Sequence, residues 1–299
     1  MMHTRYFNVA GITLAFESEL PITDRTFQPK FRLFETDGPG DDNVVLSHRF
    51  YLPEIDADAM GKLVYQQAPW RIYETTGGWR YLLDASAHET RPVIRQMLFC
   101  NRDYTKTDIY NSDMVKTAYE KGGISALTMC PTDQVFLAQL LADRQGCYIH
   151  SDGIKLNDEG LLFVGHSGAG KSTIATIMQD KGEILCDDRM IIRKWGDTHY
   201  LHGNWSHGTM PVVSPASAPL SAIFFLEKAH DNRIVPVKNK MDSIKIMLAC
   251  LIKPLASAQW WEQMLTLIQD VVDHTPCYTL RFDKSGAIYE EIRTCLNMS

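Results

Sequence analysis

Through the first hundred positions, apolar residues alternate with polar ones at the period of a half-buried strand. In FNVAGITLAF (7–16) the apolar positions are Phe7 and Val9, then Ile12, Leu14 and Phe16. The register changes at Gly11, which predicts one strand bulged at that glycine. RIYETTGGWRYLL (71–83) predicts a hairpin, with Gly77-Gly78 supplying the positive φ angles of its turn. QMLFCNRDYTKTDIY (96–110) repeats the pattern as two β-rich runs around Asn101–Asp103. No acid, base or nucleophile stands out among these residues, so the expectation is a β-rich accessory or substrate-docking domain.

Helical spacing then enters. Asp113–Lys121 predicts a helix, and Gly122-Gly123 behind it predicts a domain boundary, giving domains 1–122 and 123–299. A second helix is expected from Thr132 as N-cap to a stop at Gly146. Short strands follow at 147–150, 153–156 and 161–164, with a turn at Asn157–Gly160. Ser172–Gln179 sets Ile174, Ile177 and Met178 on one helical face. A strand at 221–228, helices at 241–252 and 258–273, a strand at 277–282 and a helix at 287–296 complete the pattern. The fold class expected is α/β (α+β): a C-terminal domain with a mixed sheet flanked by helices, preceded by the β-rich domain.

Composition narrows the partners. The 299 residues are 45% hydrophobic and 22% charged with a net charge of −6, so the clustered Lys and Arg of a nucleic-acid surface are not expected. Seven cysteines lie scattered with no CxxC, which argues against a disulfide framework or zinc knuckle and for a reducing, cytoplasmic setting. The N-terminal residues do not read as a signal peptide, and the apolar runs are too short or too interrupted to span a bilayer. No membrane partner is expected.

The chemistry centres on GHSGAGKST, residues Gly165, His166, Ser167, Gly168, Ala169, Gly170, Lys171, Ser172 and Thr173. Its G-x4-G-K-S spacing is that of a phosphate-binding loop, and the predicted strand before and helix after supply the required context. The glycines let backbone N–H groups turn inward around phosphate oxygens. Lys171 is expected to reach the β- and γ-phosphates, to face solvent without ligand, and Ser172 to ligate Mg²⁺. A short strand at Glu183–Cys186 ends in Asp187-Asp188, only 16 residues after Lys171. One carboxylate there can hold Mg²⁺ and the other can accept a proton from an attacking hydroxyl. Cys186 reads as a small core residue.

His150, the run 165–173 and Cys186-Asp187-Asp188-Arg189 together resemble the catalytic domain of HPr kinase/phosphorylase, a fold related to phosphoenolpyruvate carboxykinase. The nearest likeness is to the HPr-kinase-like proteins of peptide-modification systems. The resemblance implies ATP and Mg²⁺ as cofactors, Asp187 as proton acceptor, Asp188 with Ser172 as metal ligands, and His150 beside the transferred phosphate. It implies a Ser/Thr-type kinase acting on a peptide, a protein or a small molecule with a hydroxyl. HPr kinases form hexamers, so a homo-oligomer stays open. The HPr-engaging stretch has no counterpart; GNWSHGTMP (203–211) stands in its place, and HPr is not the expected acceptor.

Two classes of function remain at this point: the kinase, and a regulatory module that senses nucleotide without transfer. The aspartate pair favours the first, because a sensor needs no proton acceptor. His199, His202 and His207 lie in THYLHGNWSHG, a run that itself holds no Cys or carboxylate, so zinc is not the expected reading. A loop lining the site, with Trp205 as an aromatic platform for the acceptor, and a plain surface loop both stay open.

Overall fold

The computed structural model describes residues 1–56, 58–84, 93–130, 132–254 and 258–296. The chain forms two compact units, Met1–Asp133 and Gln134–Ser299.

The first unit carries β1 (His3–Val9), β2 (Ile12–Ser18), β3 (Glu35–Thr36), β4 (Asn43–Arg49), β5 (Lys62–Gln67), β6 (Trp70–Thr75), β7 (Gly78–Asp84), β8 (Ile94–Asn101), β9 (Lys106–Asn111) and helix α1 (Asp113–Lys121). The strands join one sheet in the order β3-β1-β2-β4-β9-β8-β7-β6-β5. The bulge expected at Gly11 is a hairpin instead. Val9 pairs with Ile12, and Ala10 and Gly11 both take positive φ, 50° and 75°, as a two-residue turn requires. The second predicted hairpin forms as β6–β7, but Thr76-Gly77 make its turn. Of the two glycines only Gly78 has positive φ (147°), and a Cβ there would lie 2.1 Å from the Cys100 carbonyl oxygen. Alternation on β1 and β2 turns Phe7 and Phe16 onto one face, where both meet Phe27 edge-on at 4.9 Å between ring centroids. Gly122-Gly123 ends α1 inside this unit: Gly123 N–H donates to Arg25 O, and Ile124 bridges Phe27. The boundary expected at that glycine pair thus falls before the division between the units.

In the second part of the chain α2 (Thr132–Ala142) leads into β10 (Gly146–Ile149), β11 (Ser151–Leu156) and β12 (Glu159–Val164). Helix α3 (Lys171–Met178), β13 (Glu183–Cys186), β14 (Met190–Trp195), β15 (Thr198–His202), β16 (Ser217–Lys228) and β17 (Arg233–Pro236) follow. Helices α4 (Lys240–Cys250) and α5 (Ala258–His274), strand β18 (Cys277–Phe282) and helix α6 (Ile288–Cys295) close it. The mixed sheet runs β10-β14-β15-β16-β12-β11-β13, with β18 also on β16 and β17 on β18. The fold class is therefore α/β with a mixed sheet and a β-rich N-terminal region, as expected.

Continuous apolar strands explain the layering. Leu161 and Phe163 of β12 face one core with Ile174 and Met178 of α3 and Ile288 and Ile292 of α6. Leu162 and Val164 face the other, with Met247 of α4 and Trp260, Met264 and Ile268 of α5. A strand buried on both faces needs apolar residues at every position, which is what LLFV supplies. No helix of the described residues is long and apolar enough to cross a membrane.

Candidate nucleotide site

Strand direction gathers the chemistry at one edge of the second sheet. β11 is antiparallel to both β12 and β13, so β12 and β13 end at the edge where β11 starts. The phosphate loop leaves β12 there, Asp187-Asp188 leave β13 there, and His150 and Asp152 sit at the start of β11. Of the expected residues, His150, Ser167, Gly168, Gly170, Lys171, Ser172, Thr173, Asp187 and Asp188 line one cavity of 420 Å³. Gly208, Thr209 and Lys228 also line it.

Backbone requirements account for the loop. Gly168 and Gly170 take φ of 83° and 111°, a region open to glycine. A Cβ on Gly165 would stand 2.6 Å from the Ala169 Cβ. The loop closes with Ala169 N–H on His166 O, and the first helical bonds return from Thr173 and Ile174 to Gly170. The remaining N–H groups at the start of α3 are the ones a phosphate can use.

Lys171 does not face solvent as expected; it is 8% exposed. Its Nζ donates to Gly165 O (2.9 Å) and His166 O (3.4 Å) and lies 3.1 Å from His150 Nε2. An ammonium group can only donate, so His150 Nε2 accepts and the ring carries its proton on Nδ1. That Nδ1–H meets Asp188 Oδ1 at 3.1 Å, while Arg189 Nη1 pairs with Asp188 Oδ2. Burial raises the Asp188 carboxyl, but His150 and Arg189 outweigh it and hold the group below its ordinary value. Asp187 is 3% exposed and accepts two main-chain bonds, Oδ1 from Gly208 N–H (2.6 Å) and Oδ2 from Met210 N–H (2.7 Å). Beside them the Ser172 and Thr209 hydroxyls are 3.0 Å apart.

Three of these features escaped the sequence. Asp152 is fully buried, and neither carboxylate oxygen has a hydrogen-bond partner. Burial pushes its carboxyl well above the ordinary range; Lys171 opposes the shift, and Asp187 and Asp188 add to it. Its only sequence signal was position, two residues after His150. Gly208 and Thr209 gave no signal beyond lying in the loop that replaces the HPr-engaging stretch.

That loop corrects one expectation. Trp205 is 1% exposed and belongs to the interior, so it is no acceptor platform. Asn204, also buried, folds the loop inward: its Nδ2 donates to Arg189 O, and its Oδ1 accepts from Tyr148 Oη and Ser206 N–H. The histidines do not converge. His199 pairs with Asp270, His202 is buried with burial lowering it to about 4, and His207 turns to Gly208 O. No cluster of three metal-binding His, Cys, Asp or Glu occurs among the described residues. Cys186 is a buried core residue whose thiol burial pushes up to about 12. A larger cavity, 540 Å³, lies away from the loop beside Lys194 and Asp270, which pair with each other at 2.7 Å.

Comparison with known proteins adds a family. No curated protein matches the chain. Among solved structures, the HPr(Ser) kinase/phosphatase from Coxiella burnetii is similar over 50% of this chain and 92% of its own, at 9% sequence identity and a TM-score of 0.32. A family model described as "SynChlorMet cassette protein ScmC" matches residues 124–297, more than half of the 299. By that match the chain belongs to the ScmC family of SynChlorMet cassette proteins.

Proposed function

We propose that the chain is a Mg·ATP-dependent kinase that transfers the γ-phosphate to a hydroxyl, that of Ser or Thr in a peptide or protein or of a small molecule. One observation carries the reading: a glycine loop, its lysine and two adjacent carboxylates share a single cavity. Lys171 now donates to two neutral carbonyls, and exchanging them for phosphate oxygens makes a stronger, charge-assisted bond. The donor set suits a hard cation, because Ser172, Thr209 and the carboxylates offer oxygen, and Asp152 holds two buried oxygens without partners. Ser172 and Asp188 would hold Mg²⁺, which would neutralise charge on the phosphates. His150, fixed in its tautomer between Asp188 and Lys171, keeps both in place. Asp187 takes the acceptor's proton as its oxygen bonds to the γ-phosphorus and the bond to the β-phosphate oxygen breaks, releasing ADP.

A second reading, a sensor that binds nucleotide without transfer, draws on the two main-chain N–H bonds that already occupy Asp187. Acceptor-dependent ADP release separates the two. Release that rises with a Ser- or Thr-bearing peptide supports the kinase. Binding of Mg·ATP without ADP release for any acceptor supports the sensor, and absence of binding sinks both.

A further inference from the structure

Gly208, Thr209 and Met210 form a strap across the cavity, and nothing in the phosphate-loop pattern calls for it. The strap is positioned through its main chain, by the N–H groups of Gly208 and Met210 on the two oxygens of Asp187. Its approach depends on a missing side chain: a Cβ on Gly208 would lie 3.0 Å from Asp188 Cβ and 3.2 Å from Asp187 Oδ2. Thus held, the strap delivers one hydroxyl, that of Thr209, to 3.0 Å from Ser172 Oγ. Mg²⁺ binds oxygen at 2.0–2.1 Å in an octahedron, so adjacent ligands stand about 2.9–3.0 Å apart. The separation of the two hydroxyls is the length of one octahedral edge.

We propose that Thr209 is a ligand of the nucleotide-bound divalent cation, adjacent to Ser172 and carried into the site by the strap. The inference rests on the nucleotide-site reading above and deepens it. A second, independent observation lies two residues after His150: the carboxyl of Asp152 is fully buried, and neither of its oxygens has a hydrogen-bond partner. No cluster of three metal-binding side chains occurs among the described residues, so phosphate oxygens and water would complete the shell, the ordinary habit of Mg²⁺. The arrangement also links two roles. Asp187, the proton acceptor, fixes the strap that bears the metal ligand, so loss of that grip weakens cation binding as well as transfer.

The test is the affinity of the full chain for a fluorescent ATP analogue, titrated against free Mg²⁺. Thr209→Val keeps the shape and removes the hydroxyl; Thr209→Ser keeps the hydroxyl. The valine variant is expected to need about tenfold more Mg²⁺ for the same tightening, with its affinity in EDTA unchanged. The serine variant stays within about twofold of the parent chain. Gly208→Ala retains the hydroxyl but lifts the strap, and shifts in the direction of valine. Mn²⁺ binding followed by electron paramagnetic resonance gives the same order without any turnover. If Thr209→Val overlays the parent at every Mg²⁺ concentration, the assignment is overturned while the nucleotide site stands. A parent chain that binds no nucleotide at any Mg²⁺ concentration overturns the site reading, and this proposal with it.

Discussion

One buried polar cluster from each unit makes a contrast. In the first, His48, Gln96 and Asn111 are all fully buried and fully engaged. His48 Nε2–H meets Leu127 O at 2.9 Å, and its Nδ1 accepts from Asn111 Nδ2. Gln96 Nε2 donates to Asn111 Oδ1 and Thr128 O, both at 2.7 Å, and Asn111 also donates to Arg49 O. The cluster is neutral, with burial lowering His48 to about 3. Around the phosphate loop of the second unit the buried groups are ionisable and incompletely matched. Lys171 rests on carbonyls and an imidazole, and Asp152 has no hydrogen-bond partner. A closed polar network specifies a fold; an open one holds groups in readiness for a ligand. Burial alone does not separate the two, but satisfaction does.

The sharpest way to break this contrast is at Lys171. Lys171→Ala removes the ammonium that stabilises charge shifting onto the β/γ oxygens, and phosphoryl transfer is expected to fall by about 10²-fold or more. Acceptor-dependent ADP release measures it, and circular dichroism confirms that the fold persists. Near-normal turnover would make the loop an ordinary turn and erase the difference between the clusters.

The converse change lies in the first unit. Asn111→Leu removes the Asn111 amide from His48 Nδ1 and Arg49 O, and leaves Gln96 Nε2 with Thr128 O alone. Stability is expected to drop by about 3 kcal/mol, because buried groups left unpaired each cost about 1–3 kcal/mol. Nucleotide affinity should not change. Urea denaturation and a nucleotide titration on one preparation check both halves.

Acid sharpens the comparison further. His48 has a folded value of about 3 against an ordinary 6.5, so the unfolded chain binds the extra proton between them. The stability it contributes is complete above about pH 6.5 and is lost as pH falls towards about 3. Hydrogen exchange at the β4 and β9 amides, which flank His48 and Asn111, should quicken steadily from pH 6.5 downward once corrected for the intrinsic rate. Flat protection over that range would mean His48 is not held neutral.

What the sequence could convey follows the same division. The phosphate loop was legible because its requirements are contiguous: glycines, lysine and serine act within one turn of chain. The double-faced run Leu161–Val164 was legible for a similar reason, since both cores write their demand into adjacent positions. The strap was not, because it works through main-chain N–H groups that any residue carries, on an aspartate 21 and 23 residues away. Trp205 misled because an aromatic residue in a polar loop reads as exposed, whereas the bonds of Asn204 draw the loop inward. At Gly11 the two apolar registers are equally consistent with a bulge or a turn, and only the pairing of Val9 with Ile12 distinguishes them. β4 went unseen because its pairing with β2 and β9 is parallel, so no tight turn announces it.

The smallest expected effect tests the contrast most directly, at Asp152. Asp152→Asn keeps the side chain's shape and removes its ability to ionise. In a closed network such a change breaks a bond and destabilises, but Asp152 has no hydrogen bond to lose. Burial holds its carboxyl well above the ordinary value, so the folded chain resists an ionisation that the unfolded chain undergoes freely. A raised carboxyl contributes stability below its unfolded value near pH 4 and loses it as pH rises towards the folded value. The asparagine variant escapes that loss, so at neutral pH it should be as stable as the parent or more stable by up to about 1 kcal/mol. Its Mg²⁺-dependent nucleotide affinity should fall at the same time, because asparagine cannot ionise in response to a bound cation as the carboxyl can. Thermal unfolding and the Mg²⁺ titration read the two effects separately. A clear loss of stability would show that Asp152 is a structural member like Asn111, and the open network would then be a closed one.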